Sequence, residues 1–498
     1  MCDVSIALIT PSKMGKDETY KHILKYTSIF GSVQGMNILV GLVRNKLVAL
    51  ILGPAGMGLN SLFNTTVNLL SQATGLGIGT SAVRNISELY EKGDTEALER
   101  SVKMVRAWSL LTALAGMMLC MMLGPALDYF TFSWGDHSLH FMLLSPAVAL
   151  IAISGGETAI LKGIRKLRAL AVMQIYNMVA SLVVSIPIYY IWGESGIVPV
   201  IVITALIAML LVVWQSYKVF PLRLSGAFGV LGDGMGMVRL GVAFMVAGVF
   251  GSGVEMLVRS WLNVHADLDV VGLYNAGYMI TITYAGMVFS AMETDYFPRL
   301  TAVNHDNTAV RQLANKQIEV SLLIVSPMLV ALIILLPVLI PLLFSGKFLP
   351  VVSMTQVAVL AMFFRAVMLP VEYIPLAKGE SIVHLGLEAV YSILTVLLII
   401  WGYENWGLLG TGIGLVVSYA LNFIVVLVFA FWRYGYTMSR QSLLYSLVHI
   451  PLGIMAYAMT FIDNSMTYWL SGTFVVLVSA VFSLYILQRK TALWKRQS

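Results

Sequence analysis

The chain has 498 residues, of which 58% are hydrophobic and only 11% charged, and its formal net charge is +6. A soluble protein usually carries about a quarter charged residues, so this composition excludes an ordinary soluble domain. The basic residues lie in short segments between apolar runs, which favours a role in membrane topology over nucleic-acid binding. Cys2 and Cys120 stand alone and form no metal or disulfide motif.

Apolar windows of about 20 residues recur along the whole chain, which is the length at which a helix crosses a bilayer. They predict an all-α polytopic membrane protein with about 14 transmembrane helices. In chain order, the predicted spans are 26–52, 57–82, 106–130, 139–161, 169–193, 196–217, 237–262, 271–297, 317–345, 350–377, 381–403, 406–432, 442–462 and 466–488.

The predicted spans divide the chain into five parts. Residues 1–25 have no long apolar core and no small-residue cleavage site, which predicts a cytoplasmic tail rather than a signal peptide. Spans one to six form an N-lobe over 26–217, a cytoplasmic linker covers 218–236, and spans seven to twelve form a C-lobe over 237–432. Residues 433–498 hold two extra spans and the C-terminus.

The basic residues predict the orientation of these spans. Of the 31 Lys and Arg residues, Arg44, Lys46, Arg259 and Arg365 lie within spans and Lys347 alone lies in an outer loop. All the others fall on the side of the N-terminus, as the positive-inside rule predicts when both termini are cytoplasmic. Every loop is short, which leaves no room for a catalytic domain, and the sequence has no phosphate-binding P-loop. We therefore expect a membrane protein that is not an enzyme.

A shift of about 215 residues aligns the first six spans with the next six. "LVRNKLVAL" at Leu42 falls on "LVRSWLNVH" at Leu257, so Arg44 aligns with Arg259. Six spans per repeat give both copies the same orientation, which predicts two parallel lobes related by an axis along the membrane normal. Further aligned pairs are Gly58 with Gly272, Arg84 with Arg299, Glu157 with Glu372, and Lys162 with Lys378.

Polar residues recur at helical spacing in three spans and predict faces that look into a cavity. Gluing of neighbouring helices by amides and hydroxyls is the alternative interpretation. The stripes are Gln34, Asn37, Gly41 and Arg44 in the first span, Asn60, Asn64, Asn68 and Gln72 in the second, and Gly248, Ser252, Glu255 and Arg259 in the seventh.

Ionisable residues within the spans are candidate functional residues, because burying a charge in a bilayer is costly. Arg44 has no acidic neighbour in its own span, which makes it the best candidate for an anion site, and guanidinium suits phosphate. Glu255 and Arg259 are four residues apart and are equally explained as a structural ion pair, while Lys46 is near enough to the outer surface to snorkel. The remaining candidates are Glu157, Arg365, Glu372 and Glu388, with Glu293 and Asp295 as gate or helix-end residues.

The stretch "ILGPAGMGLNSLFNTTVNLLSQATGLGIGTSAVRNISE" (Ile51 to Glu88) resembles the opening spans of Wzx-type O-antigen flippases. These belong to the multidrug/oligosaccharidyl-lipid/polysaccharide (MOP) exporter superfamily. The "LGPAGMG" between spans and "LKGIRK" (Leu161 to Lys166) after the fourth span carry the likeness. The pattern of two six-span lobes and two extra spans extends it over the chain, although the last third matches only in hydropathy.

The resemblance implies transport of undecaprenyl-pyrophosphate-linked oligosaccharide across the bacterial inner membrane, with membrane lipids and the polysaccharide polymerase machinery as partners and no nucleic acid. It further implies alternating access driven by an H⁺ or Na⁺ gradient, with no other cofactor. Its cationic cavity would comprise Arg44, Lys46, Arg259 and Arg365, with sugar-binding amides from the polar stripes. The expected ion-coupling residues are, in order, Glu255, Glu157 and Glu372.

Four other functions remain open. A MATE-type drug/cation antiporter has the same architecture but typically carries an Asp early in its first span, where this chain has Gln34 and Asn37. A lipid II flippase handles a chemically close substrate, and "LGPAG" argues mildly against it. An O-antigen polymerase or ligase resembles a design with a large periplasmic loop. A major-facilitator transporter would need a Gly/Asp/Arg-rich signature where this chain has a charged linker.

Overall fold

The computed structural model describes residues 16–132, 136–221 and 232–494, and the regular structure in these ranges is helical throughout. The helices are α1 (Lys16–Thr74), α2 (Ile78–Lys92), α3 (Thr95–Thr131), α4 (Ser138–Gly163), α5 (Leu167–Trp192), α6 (Ile197–Val219), α7 (Met235–His265), α8 (Leu268–Tyr278), α9 (Gly286–Ala302), α10 (Asn307–Leu343), α11 (Val351–Ala358), α12 (Ala361–Ala377), α13 (Ser381–Tyr434), α14 (Arg440–Met459) and α15 (Ser465–Trp494).

Nine helical stretches in the described ranges are long and apolar enough to cross a bilayer, so the protein is a multi-pass membrane protein. Three of these stretches are broken at a predicted turn between spans or within two residues of one. The backbone of α1 leaves the helix at Gly53, where φ is 67°, and α13 is broken at Trp406 and Gly407. A 3₁₀ turn over Gly193–Gly196 separates α5 from α6.

The second predicted span ends earlier than expected, at Thr74 rather than at residue 82. Leu76 and Gly77 take left-handed backbone conformations, and the chain then starts the separate amphipathic helix α2. Ile78, Ala82 and Ile86 are buried on one face of α2, while its charged residues lie outside. The polar "SAVRNISE" segment is therefore a packed surface helix and not the end of a span.

The eighth predicted span is not one regular helix. A π-helical turn over Met279–Tyr284 separates α8 from α9. Such turns insert a residue into the helix and often occur at functional sites. Tyr284, the last residue of the turn, accepts a hydrogen bond on its hydroxyl from the Asn45 amide nitrogen on α1, at 2.7 Å. The irregular turn therefore lies against the first span.

Two residues that the internal repeat aligns, Gly58 and Gly272, meet where α1 packs on α8. A Cβ on Gly58 would lie 2.2 Å from the Leu268 carbonyl oxygen, and one on Gly272 would lie 1.9 Å from that of Pro54. One helical turn further, the Ser61 hydroxyl donates to the Asn275 side-chain oxygen at 3.0 Å, again between residues 214 apart. Glycine permits this approach because it has no side chain.

Candidate functional site

A cavity of about 340 Å³ lies in the C-terminal half, between α7, α8, α9, α12 and α13. Its lining brings together five of the charged residues predicted from the sequence, namely Glu255, Glu293, Arg365, Glu372 and Glu388. Four carboxyl groups against one guanidinium suit a cation or a transferable proton better than a doubly charged anion. Over the described ranges, no group of three or more His, Cys, Asp or Glu side chains is arranged to hold a metal ion.

Arg365 is the cation of this acidic cavity. Its guanidinium carbon lies 5.4 Å from the centre of the Phe289 ring, and Glu293 and Glu372 act on it electrostatically. In the described part of the chain it forms no direct ion pair with either carboxylate. Arg365 therefore balances part of the negative charge that the glutamates place in the cavity.

Glu255 and Arg259 form the i,i+4 ion pair that their spacing allows, with 3.2 Å between Nη1 and Oε2. The Arg259 side chain is only 3% exposed, and its other terminal nitrogen donates to the Asn275 side-chain oxygen at 3.1 Å. The Glu255 side chain is 36% exposed, and its Oε1 accepts from the Tyr278 hydroxyl at 3.3 Å. Arg259 is thus held inside the protein, while Glu255 reaches the cavity.

Sequence reasoning missed the aromatic part of this lining. A histidine and five tyrosines complete the acidic cavity, and their hydroxyl and imidazole groups provide hydrogen-bonding partners among the carboxyls. Tyr274 and Tyr278 are four residues apart on α8, a spacing that marks one helix face and was visible in the sequence. The residues are His384, Tyr274, Tyr278, Tyr373, Tyr391 and Tyr419.

In the N-terminal half, Arg44 is half-buried on α1 and lies beside the buried hydroxyl of Tyr189 on α5. Its Nε is enclosed by protein and has no hydrogen-bond partner among the described residues. Of the four basic residues predicted to line a cationic cavity, it is the one that the described contacts leave without an acidic neighbour or a carbonyl partner. The Nε of Arg259 is likewise enclosed and unpartnered, so Arg44 is distinguished by having no acidic neighbour among the described residues, and an anion would balance its charge.

Lys46, two residues later, faces a different neighbour. Its ammonium group donates to the backbone carbonyl of Pro341 on α10 at 2.6 Å. Neighbouring Asn45 contacts the π turn, as described above, so this face of α1 is engaged with the C-terminal half. Lys46 therefore connects the first span to α10 rather than standing beside Arg44.

The polar stripe of the second span faces the C-terminal half. The Asn64 amide donates to the backbone and side-chain oxygens of Asn60, at 2.7 and 3.0 Å, while Asn68 and Gln72 are exposed. The Gln72 amide covers Gly248 on α7, one turn from the half-buried Ser252. The predicted stripes of the second and seventh spans thus meet, whereas the side chains of Gln34 and Asn37 lie outside the described residues.

Glu157 is not in a cavity but in a buried ion pair with Arg106 of α3. The Arg106 Nε and Nη2 atoms lie 2.8 and 3.3 Å from the two carboxylate oxygens, and Nη2 also donates to the Phe220 carbonyl at 2.9 Å. The repeat places Ser321 where Arg106 would stand beside Glu372, so the C-terminal glutamate has no such partner. Asp295 lies outside the acidic cavity and pairs with Arg299 at an exposed surface.

The chain is similar to one protein family and to several solved structures. The family described as polysaccharide biosynthesis protein matches residues 23–304, and no curated protein matches the chain. An inward-facing multidrug resistance MATE family transporter of the MOP superfamily has a TM-score of 0.68 and 16% identity over 80% of this chain and 94% of its own. Lipid II flippase MurJ, inward closed, has a TM-score of 0.64 and 14% identity over 93% and 99%.

A third solved structure has the same fold. It is a MOP superfamily transporter from Pyrococcus furiosus, whose description says that the reversed polarity of its binding pocket suggests a different function. Its TM-score is 0.56 with 15% identity, over 82% of this chain and 93% of its own. At these identities the likeness establishes a shared fold.

Proposed function

This chain belongs to the polysaccharide biosynthesis protein family, and we propose that it is a flippase for undecaprenyl-pyrophosphate-linked O-antigen, or related surface polysaccharide, repeat units. It would move them across the bacterial inner membrane from the cytoplasmic leaflet to the outer one. The observation that carries this proposal is Arg44, a guanidinium within a span that the described contacts leave without an acidic partner.

The pyrophosphate is the part of the substrate that needs help in crossing, because it carries about two negative charges into a medium of low dielectric constant. The planar guanidinium of Arg44 offers two parallel N–H groups to phosphate oxygens, in a geometry that Lys cannot supply. Lys46 and Arg259 are engaged with protein groups, and Arg365 stands among glutamates. Arg44 is therefore the residue we assign to the substrate phosphate.

The rest of the substrate also finds suitable surfaces. The exposed amides of Asn68 and Gln72 supply hydrogen-bonding groups for sugar hydroxyls. An apolar pocket of about 340 Å³ lies between α1, the π turn and α10, and Leu42, two residues from Arg44, contributes to its wall. This apolar wall suits a segment of the prenyl chain, although Arg44 points to the other side of α1, towards Tyr189 of α5.

The contacts between repeat-related residues support the expected two-lobe arrangement with 14 spans. Residues on a two-fold axis meet their own counterparts, as Gly58 meets Gly272 and Ser61 meets Asn275. We place the pseudo-two-fold axis between these pairs, with the lobes rocking about it. Adding α7 and the α8–α9 run to the nine apolar stretches and their three breaks is compatible with the 14 spans we propose, and the positive-inside rule favours cytoplasmic termini.

We assign ion coupling to the acidic cavity of the C-terminal half. Glu157 is held by Arg106, whereas Glu372, Glu388 and Glu255 line the cavity. These carboxyls could carry H⁺ or, with the hydroxyl and amide groups of the same lining, Na⁺. Protonation would remove negative charge from around Arg365 and so change the balance of forces across the helices that line the cavity.

The acidic cavity also favours a second candidate function, antiport of cationic drugs, as in the MATE family transporter with the same fold. The two functions differ in the charge of the substrate. A flippase needs Arg44 and would not protect cells from cationic drugs, whereas an antiporter needs the glutamates and would tolerate a neutral residue at position 44. A lipid II flippase would also need Arg44, but its deletion would cause a different lipid to accumulate in the cell.

Deletion of the gene in its native bacterium tests the proposal. We expect undecaprenyl-pyrophosphate-linked repeat units to accumulate and the polysaccharide ladder to disappear, both restored by the wild-type gene and by Lys46→Met. Arg44→Met, expressed at the same level, should fail to restore either. Unchanged lipids and ladder, with increased sensitivity to cationic drugs, would instead identify an antiporter.

A further inference from the structure

A groove of about 1410 Å³ lies between α9, α10, the segment 437–441 and α15, apart from the acidic cavity and from Arg44. The end of α9, the start of α10, the start of α14 and the end of α15 meet here, so the groove opens at one end of the helix bundle. Nothing in the transport mechanism proposed above uses it. Its lining changes from charged at the bundle end to apolar along α10.

Three cations at the charged end have no acidic partner in the described part of the chain. Lys316 and Arg440 are exposed, and the polar contact of Arg311 is a 3.4 Å hydrogen bond from Nη1 to the Thr437 hydroxyl. The fourth basic residue, Arg299, is paired with Asp295. The carboxylates of the lining, Asp295 and Glu319, are outnumbered by the four basic residues, so the opening has a net positive charge and suits an anionic group.

The apolar part of the groove follows α10 towards the middle of the membrane. Val320 and Ile324 are 40% and 38% exposed, and Val288 and Met292 of α9 face them across the groove. From Arg311 to Ile324 the helix rises about 20 Å, at about 1.5 Å per residue. One leaflet contributes about 15 Å of hydrocarbon, half of the bilayer core, so the groove has the length of a lipid with its headgroup at Arg311.

We propose that this groove binds one anionic phospholipid of the surrounding leaflet, with its phosphate held by Arg311, Lys316 and Arg440 and one acyl chain lying along Val320 and Ile324. Both parts of the ligand are needed to explain the groove. A free anion would leave the apolar wall unused, and a neutral lipid would leave three cations uncompensated. The proposal is independent of the transported substrate.

Native mass spectrometry of the full-length protein, released from detergent with added phosphatidylglycerol or phosphatidylcholine, tests this assignment. We expect the wild type to retain one phosphatidylglycerol in preference to phosphatidylcholine. In the triple variant Arg311→Gln, Lys316→Gln, Arg440→Gln the affinity should fall about a hundredfold, since each basic residue near a lipid headgroup contributes roughly fivefold. The matched control, Lys92→Gln, Lys166→Gln, Arg168→Gln, removes three exposed cations from the N-terminal half and should retain the lipid.

A second variant tests the apolar wall without changing the charge. Ile324→Trp fills the groove and should weaken phosphatidylglycerol binding about tenfold, the equivalent of about two lost methylene contacts. Leu477→Trp, on an exposed face of α15, should leave binding unchanged. Equal retention of the two phospholipids or equal losses in the two triple variants would overturn the proposal. So would preferential retention of undecaprenyl phosphate when it is added in competition with phosphatidylglycerol.

Discussion

The ion pair between Arg106 and Glu157 is present in the first repeat and has no counterpart at Glu372 in the second. The effect of its removal on the free energy of unfolding can be calculated. The two side chains are 12% and 4% exposed, and the pair is bidentate. In Arg106→Met the carboxylate remains buried without its partner, which costs about 3–5 kcal/mol of unfolding free energy. In Arg106→Met with Glu157→Leu, both charges are gone and most of that loss should be recovered, because an apolar pair can replace a buried ion pair at little cost.

The free energy of unfolding is measured by reversible titration with SDS in mixed micelles, for each single variant and for the double variant. Arg84→Met is the control, because its partner Glu88 is half-exposed and such surface pairs contribute less than about 1 kcal/mol. The double variant should also transport, since Glu157 is structural in this account. A double variant as unstable as Arg106→Met, or one that folds and does not transport, would refute the reasoning.

Three further substitutions test the close helix contact, the acidic cavity and a surface carboxylate. Gly58→Ala places a Cβ 2.2 Å from a backbone carbonyl oxygen and should lower the free energy of unfolding by about 1–3 kcal/mol. Gly41→Ala is the control, because a Cβ there meets open space and should not lower it. Equal melting temperatures of the two variants would contradict this expectation. Glu372→Gln should abolish proton-driven transport in vesicles, while Glu404→Gln, at an exposed position, should retain it. Transport by both variants would exclude the acidic cavity as the site of ion coupling. Hydrogen bonds from a tyrosine and an arginine lower the pKa of Glu380 below 4.5. The destabilisation caused by Glu380→Gln at pH 7 should therefore disappear as the pH falls through that lowered pKa. A difference in stability that does not depend on pH would argue against the pairing.

The all-helical membrane fold could be predicted because it depends on composition and on the length of apolar runs. The break at Gly53 falls in a predicted turn, and the break at Trp406–Gly407 falls on the first two residues of the twelfth predicted span, directly after a predicted turn. The predicted end of the second span was wrong. Hydropathy does not distinguish a span from an amphipathic helix that follows it after two residues of left-handed backbone. Those two residues, Leu76 and Gly77, change the direction of the chain without a change in composition.

The site was predictable in its charges but not in their partners. Spacing alone gave the Glu255–Arg259 pair, because both residues lie on one helix. Arg106 and Glu157 are 51 residues apart, and no local pattern connects them. The tyrosines of the acidic cavity were missed because an aromatic residue within an apolar run has the same pattern whether it faces lipid or a cavity.

The most direct test of the central claim is a flipping assay with purified protein. Undecaprenyl-pyrophosphate-linked repeat units are placed in both leaflets of liposomes, and an impermeant glycosidase then reports the fraction of sugar exposed outside. We predict that the wild type makes the inner pool accessible, and that Arg44→Met leaves it protected although the variant is folded and inserted. An inner pool that stays protected with the wild type, with or without an imposed proton gradient, would contradict the account.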